Sequence, residues 1–599
     1  MFHKLSLLLR KIQFKLTNFR HWIEVVLKVF SVLFTVSALL AIVCEHGAYL
    51  SASEERWVSG FVAAAYVFFI FKFIFRWIYS GKGRQYLREN LLDLFVIIGA
   101  FAILLFGNSI GRWLSSSEVV AQHYSILLFH IYYCFMFFVE LAKLSVVAQK
   151  INMSPPLLMM CSFLLLILCG TGLLLLPKMT THGISFMDAL FTATSASCVT
   201  GLTVVSTATT FTSTGHIVLM LLMQMGGMSI LSFATFFISF LSHSYTGLRY
   251  QYMVKDMLST NRVSDSFSFL REIIVVTFII EGIGALLLYM YWRTTGLFET
   301  EGETIFYALF HAVSAFNNAG FSLWKNNLMD AAVVNSYFPQ MIIMILVFAG
   351  GIGYVVLRDF FDPRVIQERK RRRWKKLTEG TQIALITSFV IIIVGTILFY
   401  FLEYNHTLAS KSTFLDKIST SIFQVVAGRT AGFNIVDIDS LSVPMLLIFI
   451  LVIFIGASPG STGGGIKTTT AFVILKSIVA TIKGKKRIEY HKKTIPFSLV
   501  DKAYSIVVMS LGIIFISTVV LAAIEQTVPL KNILFEATSA FTTCGMSTGC
   551  IDHFSLAGKA VLTFNMYIGR IGTLTFAYAL SKRTKESRHE YPEVYFMVG

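Results

Sequence analysis

The chain has 599 residues, of which 55% are hydrophobic and only 14% charged, and its mean hydropathy is +0.70. A soluble globular protein carries about a quarter charged residues, so that class is excluded and a polytopic membrane protein is expected. The net charge of +17 is not a nucleic-acid footprint, because Lys and Arg fall in short connections between apolar stretches, where their excess marks the cytoplasmic side. Seven cysteines (Cys44, Cys134, Cys161, Cys169, Cys198, Cys544 and Cys550) sit mostly inside apolar segments with no CxxC pair, so neither a disulfide framework nor a zinc site is read.

A membrane helix needs about 20 mostly apolar residues. In chain order the segments that qualify are 24–45, 57–79, 90–107 and 122–147, then four pairs: 157–176 with 215–241, 271–293 with 336–358, 380–402 with 443–480, and 498–523 with 557–581. Between the members of each pair lies a short candidate helix, Phe186 to Ser197, Thr304 to Phe316, Thr413 to Ala427 and Ile533 to Phe541. A polar, glycine-bearing segment follows each: SASCVTGL, SAFNNAGF, VAGRTAGF and SAFTTCGM, with Gly201, Gly320, Gly432 and Gly545 in register. The spans before this region make a unit of residues 1–150, and the repeats occupy 151–255, 256–375, 376–493 and 494–599.

Basic clusters set the orientation. Lys4, Arg10, Lys11, Lys15 and Arg20, the run Glu368 to Lys376 and the run Lys483 to Lys493 all fall on one side if every span crosses once. Both termini are then cytoplasmic, and the polar loops open on the side of the acidic connection Phe298 to Glu303. No cleavable signal peptide is expected, because the first apolar segment follows a long basic lead and is long enough to remain in the bilayer. A half-length helix that ends near the midplane directs its negative end toward a cation, and non-helical backbone at that depth is tolerated where it lines a wet cavity or is buried in protein. Rings of backbone carbonyls replace the hydration shell of a small cation, and glycine lets the backbone turn its oxygens inward. Four such loops therefore predict a cation-conducting protein.

Three further features are read from the residues. IGASPGSTGGGIKTTT (Ile455 to Thr470) places a proline and five glycines, Gly456, Gly460, Gly463, Gly464 and Gly465, within what would be one helix, so the helix must break there. The order GxxxxGK[ST] of a phosphate-binding loop is absent, since Lys467 stands two residues after the last glycine. Arg570 lies in the middle of the last span, where a lone charge faces water or a partner; the readings are a pore-facing charge or a salt bridge to a neighbouring helix. Glu281, also inside a span, faces a wet vestibule or hydrogen-bonds a pore helix, the second being the expected role. The loops hold no HExxH and no paired carboxylates, which argues against an enzyme.

On TATSASCVTGLTVVST, HAVSAFNNAGF, GRTAGFN, GASPGSTGGGIKTTT and GRIGTLT, the chain from Pro155 onward resembles the Trk/Ktr/HKT superfamily of potassium and sodium transporters. The resemblance implies an all-α polytopic fold of four helix, pore helix, filter loop, helix repeats around one pore. It places filter carbonyls at Val199 and Thr200, Asn318 and Ala319, Thr430 and Ala431, and Thr543 and Cys544, each ahead of its glycine. Plant relatives that prefer sodium carry serine at the first glycine position, so Gly201 favours potassium; Thr542, Thr543, Cys544 and Met546 depart from the smaller or aliphatic residues usual in bacterial relatives. Gly460, Gly463, Gly464, Gly465 and Lys467 would belong to an intramembrane gate loop, and Arg570 to a positive barrier near the axis. The family also implies a homodimer in the plasma membrane, docked through its basic loops and the tail from Lys582 to Gly599 onto a separate ring of nucleotide-binding regulatory subunits. It implies potassium as the transported ion and no covalent cofactor. Alternatives are a sodium channel or sodium-coupled symporter, and a regulatory subunit that does not conduct. Ala65 to Leu104 further resembles two helices of a voltage-sensor-like bundle, through Lys72, Arg76, Asn90 and Asp93. The fourth span offers only His123, His130, Glu140 and Lys143, so strong voltage sensing is not expected.

Overall fold

A computed structural model of the protein describes residues 20–80, 155–228, 266–361, 363–371, 377–485 and 487–580. The described chain is almost wholly helical, with one two-stranded hairpin (β1, Ile488–Tyr490; β2, Lys493–Ile495) among the described residues. The expected spans 90–107 and 122–147, with Asn90, Asp93, His123, His130, Glu140 and Lys143, lie outside the described residues, as does the tail from Lys582. Helices α1 (Arg20–Gly47) and α2 (Ala52–Ser80) are joined by a few residues and pack together, with Phe34 stacked on Phe68 at 4.6 Å and Lys72 Nζ donating to Ser31 Oγ at 2.6 Å.

Beyond them one order of elements occurs four times: a long helix, a short helix, a loop and a further helix. The first set is α3 (Pro155–Leu174), α4 (Phe186–Ser197) and α5 (Ser213–Gly227). The second is α6 (Ser266–Thr295), α7 (Glu301–Phe316), α8 (Tyr337–Ile352) and α9 (Tyr354–Phe361), with α10 (Pro363–Arg371) after it. The third is α11 (Glu379–Glu403), α12 (Phe414–Ala427), α13 (Val443–Phe454) and α14 (Thr468–Ile482); the fourth is α15 (Phe497–Ile524), α16 (Leu530–Thr542), α17 (Leu556–Ile571) and α18 (Thr573–Leu580). Among the described residues, stretches of the four long leading helices, Pro156–Leu174, Glu272–Thr295, Glu379–Glu403 and Phe497–Ile524, are long and apolar enough to cross a membrane.

The exterior is apolar where that of a water-soluble protein would be polar, and polar residues are gathered inside beside the hydrophobic core. Ile386, Phe389, Val390, Ile393, Val394 and Ile397 on α11 face outward, while Thr194, Ser195, Ser197, Thr200, Asn317, Asn318, Thr430 and Thr543 are fully buried. An apolar rim around a polar interior fits lipid as the outer solvent. Two helices expected to run through instead break. The span 336–358 bends by 103° between α8 and α9, and 557–581 is interrupted between α17 and α18. The breaks fall at Gly353 (φ 91°) and Gly572 (φ 89°), a left-handed conformation that a helix cannot carry and glycine adopts readily. At Gly353 the break also makes room, since a Cβ there would lie 2.5 Å from Pro459 O.

Buried carboxylates tie the last two sets together internally. Glu403, at the end of α11, accepts from Ser442 N at 3.0 Å and Ser442 Oγ at 2.6 Å, at the start of α13. Glu525, just after α15, does the same for Ser555 at the start of α17, at 2.8 and 2.6 Å. Each pins the entry of a second helix to the exit of the first.

Candidate functional site: four glycine loops and the segment against them

Three of the four short helices begin with side-chain caps, and the fourth begins after Pro529 without one. Ser185 Oγ accepts from Asp188 N, Thr300 Oγ1 from Glu303 N, and Thr413 with Asp416 forms a reciprocal capping box. Their far ends run into the glycine segments, where every residue from Thr192 to Leu202 is buried.

The four segments share one backbone. Val199, Asn318, Thr430 and Thr543 have φ of 58°, 58°, 69° and 51°, and Gly201, Gly320, Gly432 and Gly545 have φ of 91°, 72°, 72° and 87°. The residues between, Thr200, Ala319, Ala431 and Cys544, are not left-handed. Alternating hand along three residues gathers successive N–H groups on one side and leaves the carbonyls to the other. A left-handed non-glycine residue costs about 1–2 kcal/mol, and its recurrence at four equivalent positions marks a geometry kept for use.

The segments also meet one another in a closed order. A Cβ added to Gly320 would lie 2.7 Å from Ala431 O, and one on Gly432 would lie 2.9 Å from Cys544 O. One on Gly201 would run into Ala319 O, and one on Gly545 into Thr200 O. Each glycine thus abuts the middle carbonyl of the next segment, and the fourth returns to the first.

Support from the short helices differs around this ring. Ser195 Oγ accepts from Gly201 N at 3.0 Å, Ser314 Oγ donates to Phe321 O at 2.8 Å, and Ser539 Oγ donates to Met546 O at 2.6 Å. The third segment has Val426 at that place. The middle N–H bonds reach Ser195 O, Ser314 O and Ser539 O, five residues back, but Ala431 N reaches Ala427 O, four back.

Against the ring lies Ile455–Lys467, the interruption between α13 and α14. A Cβ on Gly463 would strike Thr430 Oγ1, and one on Gly464 Thr543 Oγ1 and, at 2.9 Å, Thr542 O. Backbone bonds hold the segment to the bend of the second set: Ser458 N to Gly351 O at 2.9 Å, Thr462 N to Gly350 O at 3.3 Å, and Tyr354 N to Gly460 O at 3.0 Å. Lys467 Nζ donates to Gly463 O at 2.8 Å, closing the glycine run on itself, and Gly465 is left-handed (φ 69°) where the chain turns back beside Gly456.

Arg570 reaches into this contact, donating to Thr462 O and Gly226 O and, at 3.4 Å, to Gly227 O. Among the described residues the guanidinium is shared by backbone carbonyls of the first and third sets. Glu281 is 2% exposed and accepts from Gln224 Nε2 at 3.1 Å and Asn317 Nδ2 at 2.9 Å, the hydrogen-bonded role expected of it, at the end of α7. Sequence reasoning passed over Gly226, Gly350 and Gly569, where a Cβ would collide with Ser197 O, Phe316 O and Phe541 O. Their signal was the small residue recurring in three second helices. Arg429 was also missed; buried beside Thr430, its Nη2 donates to Gly456 O at 3.4 Å.

Apolar outer faces, a buried polar interior and the fourfold order of elements define a helical, multi-pass membrane protein. A family model described as TrkH, cation transport protein, matches residues 127–589, and the chain belongs to that family of transporters. It is 37% identical over 453 residues to the Ktr system potassium uptake protein B of Bacillus subtilis (strain 168), covering 75% of this chain and 97% of the relative. It is 34% identical to the potassium/sodium uptake protein NtpJ of Enterococcus hirae, covering 75% and 98%. The crystal structure of the potassium transporter TrkH from Vibrio parahaemolyticus shares the fold, with a TM-score of 0.58 at 16% identity over 82% of this chain and 97% of that one.

Proposed function

We propose that this protein takes up potassium across the plasma membrane along the axis of the four-loop ring, with Ile455–Lys467 as its gate. The observation that carries this is the closed order in which each loop glycine abuts the next loop's middle carbonyl. In this reading four repeats surround one pore. The carbonyls of Val199, Thr200, Asn318, Ala319, Thr430, Ala431, Thr543 and Cys544 stand in for the hydration shell of a dehydrated potassium ion. Gly201, Gly320, Gly432 and Gly545 permit the approach of backbone to backbone, and the four helix ends lend negative partial charge.

The gate segment is closed in this arrangement. Gly460, Gly463, Gly464 and Gly465 let it lie flat against Thr430 and Thr543, Lys467 staples its turn, and Arg570 latches it to the first repeat while placing a positive charge beside the axis. Opening requires the segment to leave those threonines and the guanidinium to release Thr462 O. We assign the trigger to a separate cytoplasmic ring of nucleotide-binding subunits, docked on the basic connections 358–376 and 483–493 of a homodimer with cytoplasmic termini. Potassium is favoured by glycine at all four positions and by the name of the Bacillus relative. The name of the Enterococcus relative favours a second reading, in which sodium also permeates or is coupled.

The test is cation flux into proteoliposomes, comparing potassium, rubidium, sodium and lithium for the wild type and Gly201→Ser. Potassium and rubidium uptake that loses its preference in the variant is expected. Sodium-dependent potassium uptake would establish the second reading, and selective flux unaltered by the variant would place the pathway elsewhere.

A further inference from the structure

The four loops share a backbone but are not braced alike. One brace is the serine six residues before the glycine, present as Ser195, Ser314 and Ser539. A second brace runs from the short helix to the backbone N–H three residues after the glycine. In the fourth loop this is Glu536, fully buried on α16. Its Oε1 accepts from Ser547 Oγ at 2.8 Å, Thr548 N at 2.7 Å and Thr548 Oγ1 at 2.9 Å. In the second loop it is His311, fully buried on α7, whose Nε2 lies 3.1 Å from Ser322 Oγ and accepts from Leu323 N at 3.4 Å. Nδ1 of that ring faces Tyr307 O at 2.8 Å. A carbonyl only accepts, so Nδ1 carries the proton and Nε2 of the neutral ring is left as the acceptor.

The two braces match position for position. Each starts nine residues before its glycine and grips a serine hydroxyl two residues after it and an N–H three residues after it. At the same helix position the first loop has Thr192, whose hydroxyl turns back to Asp188 O at 2.8 Å. The third has Phe423, and Ile435 N is held there from the next position of the short helix, by Gln424 Oε1 at 3.4 Å, with Asn434 where the second and fourth loops have the gripped serine. The second and fourth loops therefore carry both braces and the first and third one each. Because the loops follow one another around the ring in chain order, the doubly braced loops stand opposite each other. Among the described residues, Oε2 of Glu536 is buried without a hydrogen-bond partner.

We infer that His311 and Glu536 are positioning residues that hold the second and fourth loops at a fixed span, so that discrimination between cations of different size rests on that diagonal. The inference rests on the ring being the selectivity filter. Carbonyls fixed from behind cannot close in on a smaller ion, whereas the singly braced loops can yield as an ion passes.

The test uses the full-length protein in proteoliposomes, reading the ratio of rubidium to sodium permeation together with the thermal protection given by potassium over sodium. Glu536→Ala and His311→Ala should each lower the ratio about tenfold, because each loses the acceptor for a buried N–H. Glu536→Gln, which keeps an amide oxygen at the same place, should restore it to within about twofold of the wild type. Thr192→Val, the same helix position without a brace, should leave the ratio unchanged. Should the alanine variants not fold, Ser322→Ala and Ser547→Ala remove one end of each brace without opening a large cavity, and a fall of roughly threefold is expected. Wild-type ratios in the alanine or serine variants would overturn the inference, as would Glu536→Gln behaving like Glu536→Ala. A wild type with no preference among cations would overturn instead the filter reading on which the inference rests.

Discussion

The first and third glycine loops have nearly the same backbone, yet they reach it by different means. The first is supported from within its own helix: Ser195 Oγ holds Gly201 N, and Thr200 N bonds Ser195 O at 2.7 Å. The third has Val426 in place of that serine and borrows support from elsewhere. Asn327 Nδ2, from beyond the second loop, donates to Gly432 O at 3.2 Å, and Cys544 Sγ, from the fourth, donates to Gly428 O at 3.3 Å. Gly463 lies against Thr430, and Arg429 links the loop to Gly456. A loop held by its own helix is indifferent to distant movement. In our account the segment against the ring withdraws, so a loop held in part by it changes with it, and the third loop is where gating reaches the filter.

The largest effect should ignore this contrast. Gly201→Ala and Gly432→Ala each put a Cβ against a neighbouring carbonyl at a left-handed position, and potassium-dependent growth of an uptake-deficient cell should fall more than about tenfold for both. Sparing of either would break the ring. Next, Arg570→Gln removes the charged latch on Thr462 O and Gly226 O, and rubidium flux should rise about fivefold to tenfold as the gate loosens. A fall with normal amounts of folded protein would mean that the arginine serves conduction itself.

Two smaller effects separate the loops. Ser195→Ala takes away one local bond and should lower the potassium-to-sodium ratio about fivefold while leaving the response to the gate intact. Val426→Ser gives the third loop the hydroxyl it lacks and should reduce peak flux only about twofold, by making that loop less responsive to gate movement. If Ser195→Ala altered gating instead, or Val426→Ser altered selectivity alone, local and borrowed support would not differ in the way described.

Much of this was legible in the sequence because bilayer physics constrains it strongly. Apolar length located the long helices, and the short helix Phe186–Ser197 was read with the ends it has, since Ser185 caps it and the polar loop stops it. The alignment of Gly201, Gly320, Gly432 and Gly545 was visible because left-handed backbone in close contact leaves few alternatives to glycine. The bends at Gly353 and Gly572 were not anticipated: glycines clustered in an apolar run, as Gly350, Gly351 and Gly353 or Gly569 and Gly572 are, also occur in straight helices, and only the Pro459 carbonyl against Gly353 shows why the chain turns there. His311 and Glu536 were invisible for a different reason. A histidine and a glutamate share no sequence signature, and their equivalence appears only once both are seen to hold an N–H three residues past a glycine.

Whether the ring binds the ion is decided by anomalous scattering from crystals grown in rubidium or thallium. Density is expected on the ring axis, within coordinating distance of the carbonyls of Thr200, Ala319, Ala431 and Cys544. Ordered crystals whose anomalous density lies away from that axis, or that show none on it, would contradict binding at the ring.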